Sequence, residues 1–439
     1  MINKYFIYLA TMVLSAVLHQ TWSQSQQHVW FLKDQNIDFT QGSNPVISPM
    51  QNQFGTSPNE DLPETGNGVH DINGERILSV NNSEVYSRYG YIGTLDHFEY
   101  AAFDPWIVPK PGSSCQYYIF YSSVHPNADL QNPTYCGISS MSTNYFYAEV
   151  DLSANGGLGQ ISNNGQELDV CTNYLQSLPM TVSTLYQNNT RILFKLSNVP
   201  GIGRVIKRFE ISSSGITQLA SIILPSSIAN VESLELELSF DKSKLAFANK
   251  DGQKVFVVHL DNSGGINQGL GNLSSGISSY SIPNATNLTG IEFNPNGNEL
   301  LVGSLGAGLF VLDFQSNNSQ LLSNTNILSY SCLELGYSLT NHAIYAVSNS
   351  NQLTSVSFSN SLIFSNIVPN GNVSPYINPN TFSPVISHLP PQIDGENYIS
   401  QFQNQPVECC VASSKFDILQ MTISSDQSWN GSQNPVINS

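Results

Sequence analysis

Residues 291–314, IEFNPNGNELLVGSLGAGLFVLDF, hold two apolar runs separated by turn residues at hairpin spacing. Glu299-Leu300-Leu301-Val302 and Leu309-Phe310-Val311-Leu312 are short and rich in strand formers. Asn294-Pro295-Asn296-Gly297 bounds the first run, and the glycine-bearing stretch 303–308 divides the two. The order is strand, polar turn, strand, turn, strand, and it carries no chemistry of its own.

The same order recurs along the chain. Leu238 to Lys244 precedes Leu245-Ala246-Phe247-Ala248 and Val255-Phe256-Val257-Val258, and residues 338–342 precede Ala343 to Val347 and Leu353 to Phe358. Upstream, Gln187-Asn188-Asn189 leads into Arg191 to Leu196, Lys110-Pro111-Gly112-Ser113 into Gln116 to Tyr121, and Asp71-Ile72-Asn73-Gly74 into Arg76 to Val80. A last copy, Gln392 to Gly395, precedes Asn397 to Ser400. Turn anchors near 72, 111, 188, 241, 295, 340 and 394 are spaced by roughly 40 to 80 residues, against about 40 to 50 for regular blade repeats. The widest gap contains a polar insertion around 122–133.

A four-stranded unit of this size cannot bury both faces alone, whereas radial stacking covers them. The expected fold is therefore all-β: a single β-propeller of about seven four-stranded blades, WD-repeat or YVTN-like, over residues 25–423. A β-sandwich array is the alternative, since it also uses short strands at such intervals. Residues 28–39 lie upstream of the first anchor and complete the last blade or cap the ring. Helices are nearly absent, the best candidate being 227–237.

Residues 1–24 start with Lys4, run apolar from about 5 to 18, and then turn polar and small, the pattern of a secretory signal peptide. The apolar run is short of the roughly 20 residues a membrane span needs. An exported product without membrane insertion is expected, periplasmic or at the cell surface. Residues 424–439 are polar and turn-rich and read as a linker or the start of a further module. Charged residues are only 11% of the chain and the net charge is -17, which disfavours nucleic acid as a partner because phosphates must be met by Lys and Arg. The 40% hydrophobic share suffices for a large core.

Six cysteines lie beyond the signal, at 115, 136, 171, 332, 409 and 410. In an exported chain Cys115 and Cys136 flank the polar insertion and are candidates to clip its ends by a disulfide. Adjacent Cys409 and Cys410 are read as pointing to opposite faces of a strand. No spacing matches a zinc site.

Asp96, His97, Glu99 and Asp104, beside Phe98, Tyr100, Phe103 and Trp106, form the densest acidic and imidazole patch. They are the candidate ligands for Ca²⁺ or a sugar, because carboxylates suit hard cations; packing at a blade edge is the plainer reading of the same residues. His70, Asp71 and Glu75 are close in sequence, but Asp71 to Gly74 reads as a β-turn. Gly156-Gly157-Leu158-Gly159 reads as a hairpin turn rather than a phosphate loop. Ser424 to Trp429 lacks the glycine of an Asp-box and reads as a turn. No residue is assigned a catalytic role, and no cofactor other than Ca²⁺ is suggested.

Taken in order, several stretches resemble a family of secreted Bacteroidetes proteins with an N-terminal propeller-like domain, found among gliding-motility-associated and type IX secretion surface proteins. The resemblance lies in Val29-Trp30-Phe31-Leu32 to Ile37-Asp38-Phe39, in Asp71 to Leu78, in Trp106 to Ser113 followed by Tyr117 to Phe120, and in Tyr147 to Leu152 with Gly156 to Gly159. It covers about residues 28–160. Members of that family usually continue into adhesion-like or repeat modules and a sorting domain, and their molecular activity gives no functional residue to carry over. The expectation is a monomeric, non-catalytic binding or scaffold module for a protein or glycan at the cell surface. Alternatives are a glycan-active hydrolase or lyase on the same ring, and a spacer within a larger adhesin.

Overall fold

A computed structural model describes residues 29–32, 35–38, 45–49, 66–70, 76–97, 105–125, 142–173, 179–199, 201–228, 231–304 apart from 232, 234, 250 and 251, 307–316, 318–321, 330–337, 342–348, 352–358 and 364–372. The described chain is all-β, in seven antiparallel meanders taken in sequence order. Sheet 1 has three strands, β1 (Val29–Leu32), β2 (Gln35–Asp38) and β3 (Val46–Pro49). Sheet 2 comprises β4 (Gly66–His70), β5 (Arg76–Asn81), β6 (Glu84–Ser87) and β7 (Gly90–Thr94). Sheet 3 comprises β8 (Trp106–Pro109), β9 (Gln116–His125), β10 (Ser142–Asp151) and β11 (Gln160–Asn173). Sheet 4 comprises β12 (Met180–Val182), β13 (Arg191–Val199), β14 (Gly203–Ser212) and β15 (Gly215–Ile223). Sheet 5 comprises β16 (Leu236–Leu238), β17 (Lys244–Ala248), β18 (Lys254–His259) and β19 (Ile277–Ser281). Sheet 6 comprises β20 (Leu288–Phe293), β21 (Glu299–Ser304), β22 (Gly308–Asp313) and β23 (Asn318–Leu321). Sheet 7 comprises β24 (Tyr330–Tyr337), β25 (His342–Ser348), β26 (Gln352–Phe358) and β27 (Phe364–Asn372).

The sheets stack in chain order, first strand against first strand: β1 on β4, β4 on β8, β12 on β16, β16 on β20 and β20 on β24. Each core is shared by two neighbouring sheets, and strand periodicity explains how. Successive side chains of a strand face opposite ways. On β9, Tyr117, Ile119 and Tyr121 enter the core with sheet 2, while Tyr118 and Phe120 enter the core with sheet 4. On β17, Leu245 and Phe247 face sheet 4, while Ala246 and Ala248 face sheet 6. Middle strands are thus wetted on neither face, which is why their sequences are continuous apolar runs instead of alternating ones. Outermost β15 is exposed or half-buried along most of its length. The result is a propeller-like repeat of sandwiched sheets.

Six of the seven turn anchors fall on the connection between the first and second strands of sheets 2 to 7. The seventh, near 394, lies outside the described residues. Sheet 1 carries no anchor; residues 28–39 supply its β1 and β2, paired Val29 to Asp38, beside β3. The described residues of 227–237 hold the end of a 3-10 turn, Ser226–Ile228, and the start of β16, and no α-helix. Cys115 is buried in the core shared by sheets 2 and 3. Cys136 lies outside the described residues, and with it the expected Cys115–Cys136 disulfide. Ten paired positions, from Gln116–Asp151 to His125–Ser142, put Cys115 at the opposite end of the hairpin from connection 126–141.

Candidate binding face

In an antiparallel meander, connections alternate between the two ends of the sheet, so stacked meanders sort their loops onto two faces. On one face lie the connections from first to second and from third to fourth strands. These are regular and self-capped. Asp151, Asp241 and Asp261 each accept the backbone N–H of the serine two residues on, Ser153 at 2.9 Å, Ser243 at 3.0 Å and Ser263 at 2.8 Å, and Asp313 accepts from Gln315 at 2.8 Å. Such Asx turns let one side chain stand in for a backbone partner. Neighbouring sheets are tied on this face too: Ser87 Oγ donates to Leu158 O at 2.7 Å, and Lys242 Nζ to Leu185 O at 2.8 Å.

The other face carries the hairpins between second and third strands and the crossings between sheets. Here lie connection 126–141 and the crossings 95–105 and 174–179, all around sheet 3. Asp96 and His97 are on this face, as an exposed turn directly after β7. The turn is held by β11 and β9: the Asp96 N–H donates to Asn164 Oδ1 at 3.1 Å, Asn164 Nδ2 donates to Thr94 O at 2.8 Å, and Tyr121 Oη on β9 donates to Asp96 O at 2.7 Å. The His97 ring stacks on Phe146, with centroids 5.2 Å apart. Gly165, at φ +68°, lies so close that an added Cβ would meet His97 Cδ2 at 2.8 Å and Asp96 Cβ at 2.9 Å. Glu99 and Asp104 lie outside the described residues, as do Asp71, Glu75 and 424–429. Among the described residues no three His, Cys, Asp or Glu side chains converge as metal ligands.

Beneath the same face, at the junction of sheets 3 and 4, lies a buried ionic cluster. Lys195 on β13 donates to Asp169 on β11 at 2.8 Å and to Ser197 Oγ at 3.0 Å. Ser197 donates to Asp169 at 2.8 Å, and Lys207 on β14 pairs with the other carboxylate oxygen. The Lys195 ammonium stands 3.8 Å from the centre of the Tyr145 ring, adding a cation–π contact. Burial pushes Lys195 down to about 8, against the pull of Asp169. Burial alone would raise the Asp169 carboxyl, but Lys195 and Lys207 hold it below the ordinary value. Tyr145 and Phe146 are neighbours on β10, so one strand backs both the cluster and the His97 turn.

Sequence reasoning found Asp96 and His97 but not Asn164, Gly165 or the cluster. A signal for the cluster was present: residues 191–208 hold five of the chain's 15 Lys and Arg. That concentration in a charge-poor chain calls for a local counter-ion, but not for Asp169 in particular.

No protein-family model and no curated protein matches the sequence. Solved structures similar in shape include a complex of KlAtg21 with the coiled-coil of AgAtg16, 12% identical, covering 79% of this chain and 99% of that one at a TM-score of 0.45. Another is a protein from Lactobacillus plantarum, 11% identical, covering 72% and 84% at a TM-score of 0.40. No helix among the described residues is long and apolar enough to cross a membrane.

Proposed function

We propose that the chain is an exported, non-catalytic β-propeller of seven blades that serves as a binding or scaffold module, with the irregular face around sheet 3 receiving a protein or glycan at the cell surface. The observation behind this reading is the sorting of loops. One face carries turns and a connection, 260–276, tied by their own hydrogen bonds, while connection 126–141, the Asp96–His97 turn and the ion-braced junction lie toward the other. Binding residues concentrate on loops positioned by a rigid scaffold. Ca²⁺ held by Asp96 with Glu99 and Asp104 is part of the same proposal. Replacement of 126–141 by Asn-Gly joins His125 to Ser142, a pair that already closes the ladder, by a favoured two-residue hairpin turn. The secreted chain and this variant are compared on a glycan array and by pull-down from surface extracts. Binding by the parent that the variant loses at unchanged melting temperature supports the reading; equal binding by both moves the site elsewhere.

A further inference from the structure

The outermost strands of the seven sheets differ in how their edges are guarded. An edge strand presents unpaired backbone N–H and C=O groups, which proteins blunt by shortness, proline, charge, bulges or a covering loop. β3 and β23 have four residues each and β7 has five. β11 is broken by three register shifts, and β27 by two and by Pro369. β19 is covered by the loop before it: Asn272 Oδ1 accepts from Ser279 N–H at 2.7 Å, and Asn272 Nδ2 donates to Ser279 O at 3.3 Å. β15 has nine residues and no proline, and residues 211–231 around it contain no Asp, Glu, Lys or Arg. Among the described residues it pairs with β14 alone.

The one irregularity of β15 falls at Ala220 and Ser221, which together stand against Lys207. Before it, Gly215 to Leu219 form a regular ladder with β14, from Ser212–Gly215 to Arg208–Leu219. Thr217, Gln218 and Ala220 are exposed. Arg208 reaches across to the edge at the end of this run, where its Nε donates to Ala220 O at 2.8 Å. Among the described residues its two terminal nitrogens have no hydrogen bond or ion pair. Burial lowers the Arg208 pKa and Asp261 raises it, but the Asp261 carboxylate is held by Ser263 and Gly265 instead.

We propose that Gly215 to Leu219 accept an extended segment of a partner protein as a fifth strand of sheet 4, with a carboxylate side chain of that segment on the Arg208 guanidinium. The ladder selects the conformation, because another extended polypeptide matches its alternating donors and acceptors. The guanidinium selects the charge, since its planar fork fits a carboxylate through two parallel hydrogen bonds. It also selects against a second copy, whose own β15 has no carboxylate to offer. Antiparallel pairing is the more stable per residue. The N-terminal end of the segment then lies beside Leu219 and Arg208, and the acidic residue belongs there. This edge lies on the perimeter, apart from the irregular face, and does not depend on what that face binds.

The peptide acetyl-Glu-Thr-Val-Thr-Val-amide, titrated into the intact chain with backbone amide resonances as the readout, tests this. Resonances of 215–219 should shift with a Kd of about 1 mM or tighter. Glutamine in place of the glutamate should weaken binding ~10-fold, as should reversal of the sequence, which carries the acid to the far end. N-methylation of alternate peptide residues should abolish binding in one phase and spare it in the other, because only every second residue turns its N–H toward β15. Arg208→Gln should make the glutamate and glutamine peptides bind alike. No shift at 215–219 with millimolar peptide, or binding indifferent to both N-methylated series, overturns the fifth strand. Equal binding of the glutamate and glutamine peptides by the parent overturns the acidic partner. β15 resonances that move on dilution of the chain alone assign the edge to a second copy and overturn the proposal as well.

Discussion

Lys195 and Asp169 are joined at 2.8 Å across the junction between two sheets, and neither side chain reaches solvent appreciably, at 0% and 2% exposure. Burying an ion pair offers little net stability, because desolvation offsets the attraction, but removing one member strands the other. The two members are not equivalent here. Asp169→Ala leaves both Lys195 and Lys207 without their carboxylate and should cost about 3–5 kcal/mol. Lys195→Met keeps Asp169 bonded to Lys207 and Ser197 and should cost less, about 1–3 kcal/mol. Urea unfolding of both variants checks the order; a costlier Lys195→Met would refute the assignment of Asp169 as the hub.

Stability should fall in acid through the carboxylates already named. For Asp151, Asp241 and Asp313 burial works against the charged form, yet serine and backbone hydrogen bonds leave the pKa lowered; for Asp261 the Ser263 hydrogen bond is the largest cause of the lowering. With Asp169 they make a set whose folded pKa lies below the unfolded value. The unfolded chain then binds more protons at low pH, so this stability is complete above about pH 4 and lost as pH falls through the folded values. Thermal midpoints at descending pH should show the loss, less steeply in Ser243→Ala with Ser263→Ala.

Lys195 acts with the same sign in a higher pH window. Its folded value of about 8 lies below that of an ordinary lysine, so between the two the unfolded chain carries the extra proton. Its contribution therefore makes stability rise with pH over that window. Lys195→Met should flatten that part of the profile; an unchanged slope would mean that the ammonium is not the titrating group.

Gly165→Ala should disturb the Asp96–His97 turn specifically. A methyl group there meets two side-chain atoms within 3.0 Å, and φ +68° is unfavourable for alanine in any case. A loss of about 1–3 kcal/mol is expected, with altered His97 resonances. Wild-type stability and spectra would show that the turn is not packed against β11.

Ca²⁺ held by Asp96 and Asp104 should raise the melting temperature of the parent, and Asp96→Ala with Asp104→Ala should abolish the rise. Scanning calorimetry with Ca²⁺ and with chelator decides it: a parent indifferent to Ca²⁺ removes the metal from the proposal.

The fold was legible where the turn chemistry is local. Asp241 and Asn294 cap their own hairpins, so the residues that specify these turns lie within a few positions of one another, and the apolar runs after them announce strands buried on both faces. Sheet 1 was less legible because its strands of four residues carry none of that turn chemistry. Half of the candidate face was readable, since Asp96 and His97 are adjacent. The remainder depends on pairs remote in sequence: Asn164 reaches Asp96 across 68 positions, and Asp169 reaches Lys195 across 26, from one sheet to the next. Composition shows that such charges need partners, but only packing chooses them.

The β9–β10 ladder has a consequence for chain continuity. Its ten paired positions place β9 and β10 side by side, and both strands contribute side chains to the cores on either side of sheet 3, so these two strands are held together whether or not 126–141 joins them. A proteolytic nick in that connection should leave two fragments that copurify and melt as one body, and a circularly permuted chain opened there should still fold. The covalent link at the proposed binding face is therefore free to lengthen, to vary or to accept an inserted domain without cost to the architecture beneath it.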